Sequence, residues 1–214
     1  MTPKDQRRRR HSDAVGYSAP MQRNQSGSKW RRPPVSSFGP LREAAERFCP
    51  PYEVHEESKG ALRIKLRDPS RMRPDLTLSH RHVRRLFLRA NYTRITCNVP
   101  GDGPESDGEL AFRFLGWFSR QRGSVSWKKR PSGGDEWLRR LRTPLLDAVR
   151  NIEAVQSAHV LWSAKRRVWR IELETLSGSM MSGITAFLPI AVPFDPKEAG
   201  GVLAMVDALL APAS

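Results

Sequence analysis

The histidines with the closest spacing are His80 and His82, in the run Ser79-His80-Arg81-His82. On a strand this spacing puts both imidazoles on one face, which suits a metal ion. On a helix the two diverge by about 200°, at roughly 100° per residue. Cys97 is the plausible third ligand, and no acidic residue follows in ligand spacing. The run therefore reads as a solvated, basic helix start, and no metal or other cofactor is assigned. Nucleophilic catalysis needs a nucleophile, a base and an orienting group brought together. His11 and His55 complete the histidines with His159, which reads as a packed strand residue. Neither a Gly-x-Ser-x-Gly elbow nor a Cys-centred motif accompanies them, so no catalytic residue is assigned and the reading leans away from an enzyme.

Two further segments could carry chemistry. Ser177 to Gly183 is a Gly/Ser-rich stretch whose backbone N–H groups could cradle phosphate. It lacks the Gly-Lys-Ser/Thr ending of a P-loop and reads as a long hairpin turn. Glu172 and Glu174 alternate with Ile171 and Leu173, so their carboxylates share a face and could act as an acid–base pair. Arg170 and Lys165 nearby favour cross-strand ion pairing on a wet face instead.

Cations are the stronger signal. Lys and Arg number 37 against 22 Asp and Glu, for a net charge of +15. Residues 1–40 carry +7 and residues 63–94 carry +8, so two segments hold the whole excess. A concentrated excess makes a local potential that anions feel. The first segment contains Arg7, Arg8, Arg9 and Arg10, then Lys29-Trp30-Arg31-Arg32 before Pro33-Pro34. Trp30 could stack on a base while Arg31 and Arg32 hold phosphates. Trp127-Lys128-Lys129-Arg130 repeats the aromatic-plus-cation pattern, although burial of Trp127 is the simpler reading. Trp117, Trp137, Trp162 and Trp169 sit in apolar patterns and read as core.

The elements that position these residues follow from periodicity. Residues 1–39 hold few large apolar side chains and read as a disordered basic tail. Residues 40–214 read as one α+β domain. Leu41 to Cys49 predicts a helix, and Tyr52 to Glu57 and Ala61 to Arg67 predict strands. In the second strand Leu62, Ile64 and Leu66 point one way and Arg63, Lys65 and Arg67 the other. Asp75 to Leu78 reads as a short strand. Val83, Leu86, Phe87 and Ala90 at i, i+3, i+4 and i+7 predict an amphipathic helix capped by Ser79. On it Arg81, Arg85 and Arg89 form one solvent stripe, with Arg84 beside it; a strand over 83–89 is the alternative. Tyr92 to Val99 alternates as a strand, and Glu109 to Arg122 predicts a helix through Leu110, Phe114, Trp117 and Phe118. Ser124 to Arg130 reads as a strand. A helix capped by Asp135 follows, interrupted or kinked at Pro144. Then come a hairpin over 155–176, a strand over 183–192 and a closing helix from Pro196.

Runs of strands and helices, rather than strict alternation, favour a largely antiparallel sheet backed by helices. The helix-then-three-strands order at 41–78 recurs at 135–192, which allows two similar halves. No run of about 18 apolar residues is present, so no membrane span is expected. No apolar region follows the N-terminal cations, so no secretory signal is expected. Cys49 and Cys97 suit a reducing cytoplasm. The first functional reading is a non-catalytic polyanion binder, most simply of nucleic acid with low sequence selectivity. Its contacts would be Arg7 to Arg10, Trp30, Arg31, Arg32, Arg63, Lys65, Arg67, Arg81, Arg84, Arg85 and Arg89. The alternatives are an assembly component, a homodimer or a partner of an acidic protein, and a small-ligand domain or enzyme of unidentified substrate. Composition does not fix the oligomeric state.

Overall fold

The computed structural model describes residues 38–49, 52–58, 60–67, 73–85, 88–114, 123–183 and 190–211. In chain order the elements are α1 (Phe38–Glu46), β1 (Tyr52–Ser58), β2 (Ala61–Leu66), β3 (Leu76–Arg85), β4 (Leu88–Pro100), β5 (Gly108–Phe114), β6 (Gly123–Lys129), α2 (Gly134–Arg150), β7 (Val155–Ser163), β8 (Val168–Thr175), β9 (Ser179–Gly183), β10 (Ile190–Val192) and α3 (Pro196–Leu210). The strands make one ten-stranded sheet in the order β1-β2-β3-β4-β8-β7-β5-β6, with β9 also on β4 and β10 on β9. Every pairing is antiparallel. The chain is thus an α+β domain with a large antiparallel sheet.

Alternation sets which face is covered. Leu62 lies opposite Leu78, Leu78 opposite Ile95, Ile95 opposite Leu173, and Leu173 opposite Ala158. All are buried, and they join Leu41, Ala44 and Ala45 of α1, Leu141 and Leu145 of α2, and Val202 and Met205 of α3 in one apolar cluster. The described helices therefore cover one face of the sheet, and none of them covers the other, the open face. Gly178 lets the chain leave β8 and reach β9 further along β4. Its φ is +72°, and a Cβ there would stand 2.7 Å from the Ala44 Cβ.

Two expected helices are strands. Residues 79–85 continue β3 and residues 88–90 begin β4, with Val83 opposite Ala90 and Arg84 opposite Arg89, while Leu86 and Phe87 lie outside the described residues. The helical spacing of Val83, Leu86, Phe87 and Ala90 loses to a ladder begun upstream, where Leu76 and Leu78 pair on both sides with β2 and β4. Glu109 likewise opens no helix. It lies in β5, held between β6 and β7, and residues 115–122 lie outside the described residues. Of the stretch expected as a single strand over 183–192, Gly183 ends β9 and Ile190–Val192 form β10, which pair as Met181 with Ile190, and residues 184–189 lie outside the described residues. Helix α2 runs through Pro144, and its N-cap is Gly133 in the left-handed region, with Asp135 in the first turn. The two halves share the order helix then strands but not the pairing, because β9 leaves β8 to pair with β4.

Where α2 and α3 meet, the contact is closest at Gly201. A Cβ there would lie 2.7 Å from the Ala148 carbonyl oxygen and 2.8 Å from Ile152 Cγ1, whereas a Cβ on Gly200 would meet nothing within 4 Å. Both glycines are helical, so alanine lowers the unfolded-state entropy equally at each. Gly200→Ala is expected to stabilise by about 0.5–1 kcal/mol. Gly201→Ala is expected to destabilise by about 1–3 kcal/mol through overpacking. Urea denaturation of both variants checks this, and a like response at the two positions would contradict the packing described.

Candidate nucleic-acid interface

The open face is built from side chains that alternate with the core. On β4 these are Tyr92, Arg94, Thr96 and Asn98, since Thr93, Ile95, Cys97 and Val99 are buried. Arg81, Ser79 and Thr77 of β3 lie opposite Tyr92, Arg94 and Thr96. On the other side Glu174, Glu172 and Arg170 of β8 lie opposite Arg94, Thr96 and Asn98. Arg63 of β2 lies opposite Thr77, and His159 of β7 opposite Glu172. Lys65 and Arg67 extend the same parity along β2 and just past its end, and both are exposed.

The expected cationic residues are thus brought together in part. Arg63, Lys65, Arg67 and Arg81 share the open face. The helical stripe of Arg81, Arg85 and Arg89 does not form, because β3 and β4 replace the helix. Arg81 and Arg85 occupy one strand parity, and Arg84 and Arg89 are cross-strand partners at the other. Arg7, Arg8, Arg9, Arg10, Trp30, Arg31 and Arg32 lie outside the described residues. Sequence reasoning did not place Arg94 or Arg170 at the site. The alternation of β4 and β8 carried that signal, since each sits between buried neighbours.

Carboxylates interleave with these cations. Arg81 Nη1 donates to both oxygens of Glu174, at 3.0 and 2.9 Å, and Arg94 Nε donates to Glu174 Oε1 at 3.2 Å. The Glu174 side chain is 10% exposed against 56% for Arg81, so the carboxylate is the sunken partner and the guanidinium the outer one. Arg170 Nε lies 2.8 Å from Glu172 Oε1, Arg63 pairs with Asp75 at 3.1 Å, and Arg67 pairs with Glu53 at 3.1 Å. Lys65 makes no ion pair with another described residue. Of these, the exposed pairs Arg63–Asp75 and Arg67–Glu53 contribute about 0–1 kcal/mol each. A phosphate can displace or share such a partner at little cost, and the guanidinium is already held in place.

The other chemical readings resolve locally. Glu172 and Glu174 are ion-pair members, and the partners of Glu174 are Arg81 and Arg94 rather than Arg170 or Lys165. His159 Nδ1 lies 2.9 Å from Glu109 Oε1, which also accepts from Lys128 Nζ at 2.9 Å. The Lys128 hydrogen bond is the main cause that holds the Glu109 carboxyl below its ordinary range. His80 Nε2 lies 3.3 Å from the Gly178 carbonyl, and burial holds its pKa below the ordinary value. His82 Nδ1 lies 2.5 Å from Asn91 Oδ1. Cys97 stands opposite Leu76, four positions along β3 from His80, and burial pushes its thiol up to about 12. Among the described residues no group of three or more potential metal ligands occurs. The Ser177–Gly183 stretch is no exposed loop. Ser177 and Ser179 are buried, the Gly178 N–H donates to Val192 O at 2.8 Å, and β9 begins at Ser179. Trp127 is half-buried and donates from Nε1 to Gly134 O at 2.8 Å, which is a packing role. Trp162 and Trp169 are buried in the core and Trp137 packs against it, as expected.

A cleft of about 390 Å³ opens on this face. Arg63 and Arg170 form its walls, with Asp75, Thr77, Thr96 and Asn98 between them. The class this defines is an α+β domain whose sheet offers a polar face with a cleft lined by residues of β2, β3, β4 and β8. Residues 49–203 match the model of DUF3156, described as a protein of unknown function, and the chain belongs to that family. No curated protein and no solved structure matches it. Among the described residues no helix is long and apolar enough to cross a membrane.

Proposed function

We propose that this protein is a non-catalytic nucleic-acid binder that works through phosphate contacts with little sequence selectivity. The observation that supports the reading is the gathering of Arg63, Lys65, Arg67, Arg81, Arg94 and Arg170 on the one sheet face that the helices leave open. An antiparallel sheet face that no described helix covers is wide enough to lay a strand across several β-strands at once. Its hydroxyl and amide groups add neutral donors between the guanidinium groups. The cationic segments at Arg7 to Arg10 and at Trp30 to Arg32 would add sequence-independent attraction. Phosphate contacts of this kind set position and carry no base information.

Lys65 gives the cleanest test of the face. It is exposed and has no ion-pair partner among the described residues, so Lys65→Glu reverses a charge without orphaning a carboxylate. Fluorescence anisotropy with a labelled single-stranded oligonucleotide is expected to show weaker binding and a salt slope smaller by about 0.7, the share of one phosphate. An unchanged affinity and slope would remove the sheet face from the reading. Competition by polyglutamate as effective as by unlabelled oligonucleotide would favour an acidic protein partner instead.

A further inference from the structure

We infer that the strand taken is RNA in preference to DNA, with the Asp75 carboxylate accepting a ribose 2′-hydroxyl in the cleft between Arg63 and Arg170. This rests on the nucleic-acid reading and names its substrate class. The cleft is not a plain phosphate site, because a carboxylate lies inside it. Arg63 Nε and Nη2 both contact Asp75 Oδ2, each at 3.1 Å, and Asp75 Oδ1 makes no hydrogen bond to another described residue although Asp75 lines the cleft. Thr77 and Thr96 stand opposite each other on that floor, and Asn98 stands opposite Arg170. Their side chains make no hydrogen bond to another described residue.

A phosphate has use for Arg170 and for the hydroxyl and amide donors, but it is repelled by Asp75. A free carboxylate oxygen is useful only to a ligand that brings a donor of its own. The DNA backbone has none. Each RNA sugar brings one, because the 2′-hydroxyl both donates and accepts. A ribonucleotide therefore satisfies the whole set, its phosphate at Arg170 and its 2′-hydroxyl at Asp75. The volume of about 390 Å³ lies within the range that takes a ligand of that size.

The test uses the full chain and labelled oligouridylate, oligodeoxyuridylate and 2′-O-methyl oligouridylate of equal length, in anisotropy titrations at low salt. The RNA is expected to bind roughly tenfold tighter than the DNA, the size of one hydrogen bond to a charged group. The 2′-O-methyl strand keeps the oxygen and loses the donor, so it is expected to bind like DNA. Equal affinity for all strands overturns the inference and leaves the nucleic-acid reading standing. Equal affinity for RNA and 2′-O-methyl RNA also overturns it, since the donor would then be idle. Binding of none of them overturns both. Asp75→Ala supplies a second reading: DNA affinity is expected to rise while the preference for RNA disappears. A role confined to charge would raise both affinities together and keep their ratio, and that result counts against the inference.

Discussion

Replacing Trp169 with alanine is expected to cost about 3–5 kcal/mol of stability, the range for emptying a buried aromatic site. Trp169 is fully buried on β8, cross-strand from both Val99 and Trp162. Its ring centroid lies 4.8 Å from that of Trp162 and 6.0 Å from that of Trp137 on α2, so it joins sheet to helix. Its Nε1–H donates to the Asp102 carbonyl at 2.8 Å, and Trp162 donates likewise to the Pro104 carbonyl at 2.8 Å. The pair of indoles thus pins the 101–107 connection to the end of the sheet. Alanine would empty the site and release the Asp102 carbonyl together. Trp169→Phe keeps much of the packing and gives up the hydrogen bond, so a loss of about 1–2 kcal/mol is expected. Urea midpoints at unchanged m would read both values. A loss below about 1 kcal/mol for the alanine variant would mean that the site refills or that the ring is not central to the core.

The second large effect is expected at Glu198, a carboxylate almost wholly buried at the start of α3. Its Oε1 accepts from the Glu153 N–H at 2.6 Å and from the Ser177 hydroxyl at 2.7 Å, while Oε2 accepts from the Asp195 N–H at 2.8 Å. One side chain thus closes the capping box of α3 and ties that helix to the turn before β7 and to the bend after β8. Glu198→Ala would leave these donors unpaired at a site that water reaches poorly, at a cost of about 3–4 kcal/mol. Burial raises the carboxyl pKa above the ordinary 4.5, against lowering by Ser177 and the backbone N–H groups of Asp195 and Glu153. The folded state therefore holds this proton more tightly than the unfolded chain. The contribution is full below the unfolded pKa and is lost as pH rises through the raised folded value. Wild type is expected to lose stability relative to Glu198→Gln over that window. A difference that grows in favour of wild type as pH rises would contradict the assignment.

Local pattern revealed the sheet wherever alternation was clean. Leu62, Ile64 and Leu66 against Arg63, Lys65 and Arg67 gave the correct faces of β2, and Tyr92 to Val99 gave those of β4. It failed where an apolar run fits two periods. The spacing of Val83, Leu86, Phe87 and Ala90 fits a helix, but residues 76–79 are already committed to ladders on both sides, and those partners are set by tertiary pairing. Leu110 and Phe114 suit a helical face as well as a strand, and the decision for β5 comes from β7, about fifty residues away, with His159 opposite Ala111. The candidate face was legible only in its cations. The carboxylate that gathers Arg81 and Arg94 is Glu174, separated from them by 93 and 80 residues. No local signal reveals such a partner, which is why a solvent stripe of arginines was expected and cations interleaved with carboxylates are found. The cleft between Arg63 and Arg170 was hidden for the same reason, since its walls come from β2 and β8.

On the proposed function, this chain holds nucleic acid through its phosphates. The most direct measurement is the dependence of the association constant of the full chain for a single-stranded oligonucleotide on salt concentration. Neutralising about five phosphates would give a slope near −3.5 in a plot of log affinity against log salt. A flat plot, or no association at about 50 mM salt where phosphate attraction is strong, would contradict the claim.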